Sequence, residues 1–336
     1  MIENCTHFMN CAIELAKKGE GLTSPNPPVG SILVKNGNII SKGWHKKAGQ
    51  NHAEIECLKS FSDPNELKNS TLFVTLEPCS THGKTPPCVN RIIESGVKKV
   101  IIGALDPNPN HNGKAIGILE ENGIEVISGV CKEKAEDLIA PFKKLITKSL
   151  PYITLKLAIT IDGKIADHTK NSKWISCEES RNEVQNLRKR VDGVMVGANT
   201  VRCDNPTLFP KPDNGSCPWR IVIGSNFPES SNLLNDKYKH KTLIRSGELK
   251  SIVAELANEK NIMHILCEGG GNLSAQLLES NLVDEIIFFV TPKIIGKDGL
   301  ASFDFLNLSI KNAHQLFFNK FKKVGTDIMI KAKVEN

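Results

Sequence analysis

His52-Ala53-Glu54 and, farther along, Glu77-Pro78-Cys79-Ser80-Thr81-His82-Gly83-Lys84-Thr85-Pro86-Pro87-Cys88 are the stretches around which the chain is organised. One imidazole and two thiolates, from His52, Cys79 and Cys88, are three of the four donors that a tetrahedral zinc takes. Three protein ligands leave one position open for water, the layout of a catalytic site rather than a structural one. Zinc lowers the pKa of a bound water from about 15.7 to about 7. Glu54 lies two residues after the histidine and is placed to carry protons without binding the metal. A lone His-x-Glu means little, and a lone cysteine is most often a small core hydrophobe. Here the order of the motifs, Pro78 beside Cys79 and the helical context agree. A purely structural zinc would need a fourth protein ligand, for which His82 is the candidate.

The bulk properties bound what surrounds this site. At 336 residues the chain is long for one core, and two domains are expected. Hydrophobic content of 40% and charged content of 24% are those of a soluble globular protein. The net charge of +6 is mild, with lysines scattered rather than gathered in blocks. It suits an anionic small molecule as well as nucleic acid. The stretch Met1-Ile2-Glu3-Asn4-Cys5 has no basic segment followed by an apolar run, so no secretory signal is expected. No run of about 18 apolar residues is present, so no membrane span is expected. A cytoplasmic chain keeps its thiols reduced, so Cys79 and Cys88 read as metal ligands and the remaining eight of ten cysteines as core or surface residues.

In the first half, Phe8, Cys11, Ala12, Leu15 and Ala16 stand at helical spacing over residues 4–19. A proline-rich loop, 24–30, precedes a strand at 31–34, a hairpin signal at Asn36-Gly37 and a strand through Ile39-Ile40. His52 opens a helix running to about Ser60. Thr71–Leu76 is a strand delivering Cys79 just past its end, and Pro87-Cys88 open the next helix. Lys99–Gly103 is a buried strand, with the proline-locked loop Asp106–Pro109 at its C-terminal end. A helix from Gly113, a strand at 124–127 and one amphipathic helix over 131–148 follow. Alternating helices and strands make this a three-layer α/β domain, with Leu150-Pro151 marking its end. The combination of His-x-Glu, Pro-Cys and a second Cys is the pattern of zinc deaminases that act on nucleobases.

This half resembles the cytidine-deaminase superfamily. More narrowly, it resembles the pyrimidine deaminase domain of riboflavin biosynthesis. The narrow match rests on Pro25–Gly30, Gly43-Trp44-His45, His52-Ala53-Glu54, Thr75–Ser80, His82–Cys88 and Asp106–Pro109. Eight residues separate the two cysteines where the generic pattern has two. The resemblance implies one zinc per chain on His52, Cys79 and Cys88, with Glu54 as the proton shuttle. It also implies substrate contacts at Asn26, His45, Lys84, Asp106 and Asn108. Amides such as Asn26 and Asn108 can read a pyrimidine edge, and His45 and Lys84 can meet a ribose phosphate. Thr81 is a departure, standing where relatives often carry a second histidine.

In the second half, Tyr152–Ala158 reads as a buried strand, Asp162-Gly163 as a turn and Cys177–Arg190 as a helix. Asp192–Gly197 is a strand running into a loop at 198–206. Strands follow at 219–224, 262–267, 285–290 and 326–334. Glu268-Gly269-Gly270-Gly271 between a strand and a helix is a place where backbone and helix terminus can meet phosphates, although a tight turn without a ligand reads the same way. No general base stands out in this half.

The second half resembles the reductase domain of the same pathway, with a dihydrofolate-reductase-like fold. The matching runs are Leu155–Ala158, Ile161–Ala166, Ser172–Ile175, Val196–Thr200, Asp204-Asn205-Pro206 and Glu268–Gly271. The resemblance implies NADPH contacts at Ala158, Trp174, Thr200, Asp204, Ser225 and the loop Gly270, Gly271, Asn272, Leu273, Ser274, Ala275 and Gln276. It implies substrate contacts at Ser172, Arg188, Leu208, Lys211 and Glu268. Arg188 and Lys211 suit a phosphorylated sugar, and Lys211 stands where relatives often carry arginine.

The expectation is therefore an α/β chain of two domains. Residues 1–148 form a zinc-dependent pyrimidine deaminase, and 149–336 a dihydrofolate-reductase-like reductase using NADPH. The implied substrate is a phosphorylated pyrimidine, first deaminated and then reduced at its ribosyl group. The family implies a homo-oligomer, dimer or tetramer. Two rivals make different demands. A nucleic-acid-editing deaminase would need basic clusters and exposed aromatics for stacking, and only 5% of residues are aromatic. A second half that serves only as a scaffold would bind no NADPH.

Overall fold

The computed structural model describes residues 2–81, 86–211 and 217–335. The chain divides into two compact units, Met1–Ser149 and Leu150–Asn336.

The first unit runs α1 (Ile2–Ala16), β1 (Gly30–Lys35), β2 (Asn38–Trp44), α2 (Ala53–Leu58), β3 (Thr71–Leu76), α3 (Cys88–Ser95), β4 (Lys99–Ala104), α4 (Lys114–Glu121), β5 (Glu125–Ser128), α5 (Lys132–Leu138) and α6 (Ala140–Lys148). Its five strands lie in the order β2-β1-β3-β4-β5. β1 pairs antiparallel with β2 and β3, whereas β3, β4 and β5 are parallel. Side chains alternate across a strand, so each strand feeds two cores. Ile32, Val34, Phe73 and Ile101 pack with Met9, Ala12 and Ile13 of α1. Leu33, Leu72, Val74, Val100 and Ile102 pack on the other face with Ala53, Cys57, Val89, Ile92 and Leu119 of α2, α3 and α4. α2 approaches β2 so closely that a Cβ on Gly43 would stand 2.3 Å from the Ala53 carbonyl oxygen, which explains the glycine of Gly43-Trp44-His45.

The second unit runs β6 (Tyr152–Thr160), β7 (Lys164–Ala166), α7 (Glu178–Arg188), β8 (Gly193–Gly197), α8 (Ala198–Asp204), β9 (Trp219–Ile223), α9 (Asn232–Asn235), β10 (Thr242–Arg245), α10 (Leu249–Lys260), β11 (His264–Cys267), α11 (Gly271–Glu279), β12 (Glu285–Thr291), β13 (Leu300–Ala301), β14 (Leu316–Val324) and β15 (Asp327–Val334). Eight of its strands form one sheet in the order β10-β9-β8-β11-β6-β12-β15-β14. The first six are parallel, and β15 and β14 add antiparallel at the edge. Ile153, Leu155 and Leu157 of β6 face α10 and α11. Ala158 faces the other way, with Val184 of α7, Ile287 and Phe289. Among the described residues no helix is long and apolar enough to cross a membrane, and all ten cysteines are free.

Three sequence expectations are corrected here. The single helix over 131–148 is two helices meeting at Ile139, with Pro141 in the first turn of α6. Proline fits there because it lacks only an amide that a first turn leaves unpaired. The loop expected at 198–206 is largely the helix α8. The edge strand β14 was not expected, because an irregular register near Asn319 breaks its alternation and seven of its nine residues are exposed.

Candidate active sites

The metal centre is assembled where chain elements end. His52 is the N-cap of α2, Cys79 follows β3 and Cys88 is the first residue of α3. Their ligand atoms lie within 4.8 Å of one another. His52 Nδ1 is 3.6 Å from Cys79 Sγ and 3.3 Å from Cys88 Sγ. Zinc bonds of about 2.3 Å to sulfur and about 2.0–2.1 Å to nitrogen give tetrahedral edges of roughly 3.6 Å between N and S, so these donors fit the ion closely. The Cys88 amide donates to Cys79 Sγ at 3.3 Å, and this amide at the start of α3 favours a thiolate. In the metal-free chain a hydrogen bond from Cys88 draws the Cys79 thiol down to about 4. Cys88 is correspondingly held up beside that charge.

Glu54 is 3% exposed. Burial, and then the negative charge of Cys79, push its carboxyl up to about 6, while its side chain is hydrogen-bonded to Cys88. A carboxyl group of raised pKa next to a water-activating ion can accept a proton and return it. His45 is 2% exposed and meets His52 edge to face at 5.4 Å between ring centroids. Its Nδ1 donates to the Asn51 carbonyl at 3.0 Å, and burial holds its pKa low, so Nε2 accepts from Asn26 Nδ2 at 3.3 Å. Both nitrogens are thus engaged within the chain, and His45 orients Asn26. Asp106 and Asn108 sit in one loop, where Asp106 Oδ1 accepts from the Asn108 amide at 2.8 Å. Burial raises the Asp106 pKa. Lys84 and His82 lie outside the described residues.

The second unit contains a cavity of about 470 Å³ lined by Gly197, Ala198, Asn199 and Thr200, by Ile223-Gly224 and Ser246-Gly247, and by Gly270–Leu273 and Gln276. It lies at the C-terminal ends of β8, β9, β10 and β11, where parallel sheets gather ligands. Its volume is that of a small-molecule site. A Cβ on Gly270 would meet nothing within 4 Å, so the N-terminus of α11 stands open to the cavity. Of the expected cofactor contacts, Thr200, Gly270, Gly271, Asn272, Leu273 and Gln276 line it. Ser225 is exposed beside the lining Gly224, whereas Ser274 and Ala275 turn into the core. Ala158, Trp174 and Asp204 are not among the lining residues. Trp174 is 64% exposed with Arg181 over its ring, and Asp204 faces Lys173 at 3.9 Å.

On the α7 face of the sheet lies a charged cluster. Glu268 accepts from Arg188 Nε at 2.6 Å and from Arg188 Nη2 at 3.0 Å. Lys156 Nζ, from β6, stands 3.8 Å from Glu268 Oε2. Burial opposes the charge on Glu268, yet Arg188 and Lys156 hold its pKa below the ordinary range. Burial lowers the pKa of Lys156, and Glu268 offsets this in part. Arg188 Nη1 also reaches the Phe209 carbonyl at 3.5 Å, so Arg188 is a counter-ion of Glu268. Sequence reading passed over Lys156, although a lysine in the apolar run Ile153–Leu157 signals it. Leu208 is buried in the core, Ser172 is half-buried, and the amide of the exposed Lys211 donates to Gln185 at 3.0 Å.

Comparison with known proteins accords with both centres. Residues 2–104 match the cytidine and deoxycytidylate deaminase zinc-binding region. Residues 151–330 match the RibD C-terminal domain. The riboflavin biosynthesis protein RibD of Aquifex aeolicus is 39% identical, covering 96% of this chain and 97% of its own. The Escherichia coli protein of the same name is 32% identical, covering 96% and 98%. RibD of Acinetobacter baumannii superposes with a TM-score of 0.90 at 30% identity over 100% of both chains. A diaminohydroxyphosphoribosylaminopyrimidine deaminase/5-amino-6-(5-phosphoribosylamino)uracil reductase from Thermotoga maritima superposes with a TM-score of 0.88 at 35% identity over 99% of each. With a zinc-type cluster in one α/β unit and a reductase-like second unit, this chain belongs to the RibD family, the bifunctional deaminase/reductases of riboflavin biosynthesis.

Proposed function

We propose that the first unit hydrolyses the exocyclic amine of 2,5-diamino-6-ribosylamino-4(3H)-pyrimidinone 5′-phosphate, and that the second reduces the ribosyl group of the product with NADPH. The observation that carries this reading is the meeting of His52, Cys79 and Cys88 beside the buried, non-ligating Glu54. Zinc on these three ligands supplies a water acidic enough to attack near neutral pH. Glu54 takes a proton from the attacking water and passes it to the nitrogen, which leaves as ammonia when the C–N bond breaks. Asn26, held by His45, and the loop bearing Asp106 and Asn108 hold the pyrimidine edge, and Lys84 meets the phosphate.

In the second unit the open N-terminus of α11, beside Gly270 and Gly271, suits a diphosphate. NADPH, when bound, supplies the hydride for the first carbon of the sugar. Lys156 and Glu268 are the pair that can move a proton as the sugar ring opens, with Arg188 holding Glu268 in place. Lys211 is the anchor for the sugar phosphate. A cytoplasmic setting, which keeps the metal-binding thiols reduced, suits both reactions.

The test is a two-channel assay on the zinc-loaded chain, given the pyrimidine and NADPH, with ammonia and NADPH absorbance followed together. Ammonia first and equimolar NADPH loss afterwards is the expected result. Ammonia without NADPH loss would reduce the second unit to a scaffold, and neither signal would reject the substrate.

We further propose a homo-oligomer. Phe318, Phe321 and Ile328 are exposed on one face of the β14–β15 edge, an apolar surface of the kind that interfaces cover. Sedimentation is expected to show a dimer or larger, and Phe321→Glu to shift it toward monomer. A monomeric wild type would reject this.

A further inference from the structure

Glu77 is a buried carboxylate to which the deamination assigns no role. It follows the last residue of β3, two positions before Cys79, and is 4% exposed. Its Oε2 accepts from the amides of Asp106 at 3.1 Å and Gly113 at 3.0 Å, and its Oε1 accepts from the amide of Ala115 at 3.0 Å. Those amides mark the entry and exit of one segment, which follows the end of β4 at Ala104 and enters α4 at Lys114. Inside the segment Asp106 Oδ1 accepts from the Asn108 amide at 2.8 Å, and Asn108 Oδ1 accepts from the Asn110 amide at 3.0 Å. Asn112 Nδ2 closes the ring on the Asp106 carbonyl at 3.1 Å. The loop is thus a hydrogen-bonded ring suspended from one carboxylate, and that carboxylate belongs to the strand end that delivers Cys79.

We propose that Glu77 is a positioning residue of the deamination: it sets the distance between the metal centre and the loop that presents Asp106 and Asn108 to the substrate. The inference rests on the reading of those two residues as substrate contacts. An ionised carboxylate serves three amide donors because all of its lone pairs accept. Glutamine has the same shape but turns an NH2 group toward at least one of those amides, leaving a buried donor without an acceptor. The loop then shifts, and displacements near 1 Å at a positioned group change rates by about a hundredfold.

The experiment compares Glu77→Gln with wild type in the full, zinc-loaded chain. KM for the pyrimidine is expected to rise by about tenfold to a hundredfold, with a smaller change in kcat. Zinc content and turnover of the deaminated intermediate by the reductase stay at the wild-type level. An unchanged KM overturns the proposal. So does loss of zinc, which would assign Glu77 to the metal centre instead. Asp106→Asn, measured alongside, separates the proposal from the reading beneath it. An unchanged KM there rejects the substrate role of the loop and the proposal with it. A raised KM there with a normal KM for Glu77→Gln rejects the positioning role alone. Because both residues act through one loop, the double variant is expected to fall short of the product of the single effects, and a full product counts against the proposal. Hydrogen exchange on the wild-type chain decides the case even if the variants fail to fold. Protection of the Asp106, Gly113 and Ala115 amides is expected, and fast exchange at all three overturns it.

Discussion

Glu54→Gln is expected to cut ammonia release by about 10²–10⁴, the range that a positioned proton carrier contributes. The side chain is enclosed at the N-terminus of α2, and glutamine fills the same volume without a transferable proton. Among the described residues the cluster able to hold a metal is His52, Cys79 and Cys88 and does not include Glu54, so metal content measured by mass spectrometry is expected to stay at one zinc per chain. NADPH oxidation with the deaminated intermediate is expected to continue at the wild-type rate, because the cavity proposed for NADPH is lined only by residues of the other unit. Loss of zinc would place Glu54 among the structural supports of the metal. Loss of both activities would contradict independent centres.

Glu268→Gln is expected to have the largest effect in the second unit. Arg188 and Lys156 both direct their charge at this one carboxylate. Without it, two buried cations face each other unpaired. Breaking a buried ion pair by removing one partner costs about 3–5 kcal/mol. Hydrogen exchange at the β6 and β11 amides should report that loss, and reduction should fall by about two orders of magnitude as the site loses its geometry. Lys156→Met separates stability from chemistry. Glu268 keeps its two hydrogen bonds from Arg188 when Lys156 is replaced, so no buried charge is left without a counter-ion, and this variant is expected to keep its fold and lose reduction. Full reduction by Lys156→Met would remove Lys156 from the chemistry and leave it as packing.

The metal centre was readable in the sequence because its ligands are tied to local signals. His52 precedes a helix, Cys79 follows a strand and Cys88 opens a helix, so each donor sits at a terminus that hydrophobic spacing locates. The strands of both units were readable for the same reason, apart from short or irregular ones. β14 failed because its exposed residues carry no two-residue period. The division of 131–148 into two helices was present in Pro141 but hidden by an unbroken run of helix-forming residues. α10 was not among the sequence expectations, although Leu249, Ile252, Val253, Leu256 and Ala257 repeat at helical spacing.

By itself, then, the sequence determined the two α/β units and the residues His52, Cys79 and Cys88 that meet in a cluster able to hold a metal. All of these are set by short-range patterns of hydrophobicity and ligand type. Only the tertiary structure decided how distant groups combine. Lys156 and Arg188 come from β6 and α7 and Glu268 directly follows β11, and they become neighbours because β11 lies parallel beside β6 with α7 across that face. Ser246-Gly247 joins the cavity at the α11 N-terminus because β10 lies at the far edge of the same parallel run. Glu77 reads as a motif residue in the chain, and acquires its three amides only when β4 pairs with β3 and brings the 106–115 loop over the strand end. Side-chain period places a residue on a face, whereas strand order decides which faces and ends meet, and that order is set by long-range packing.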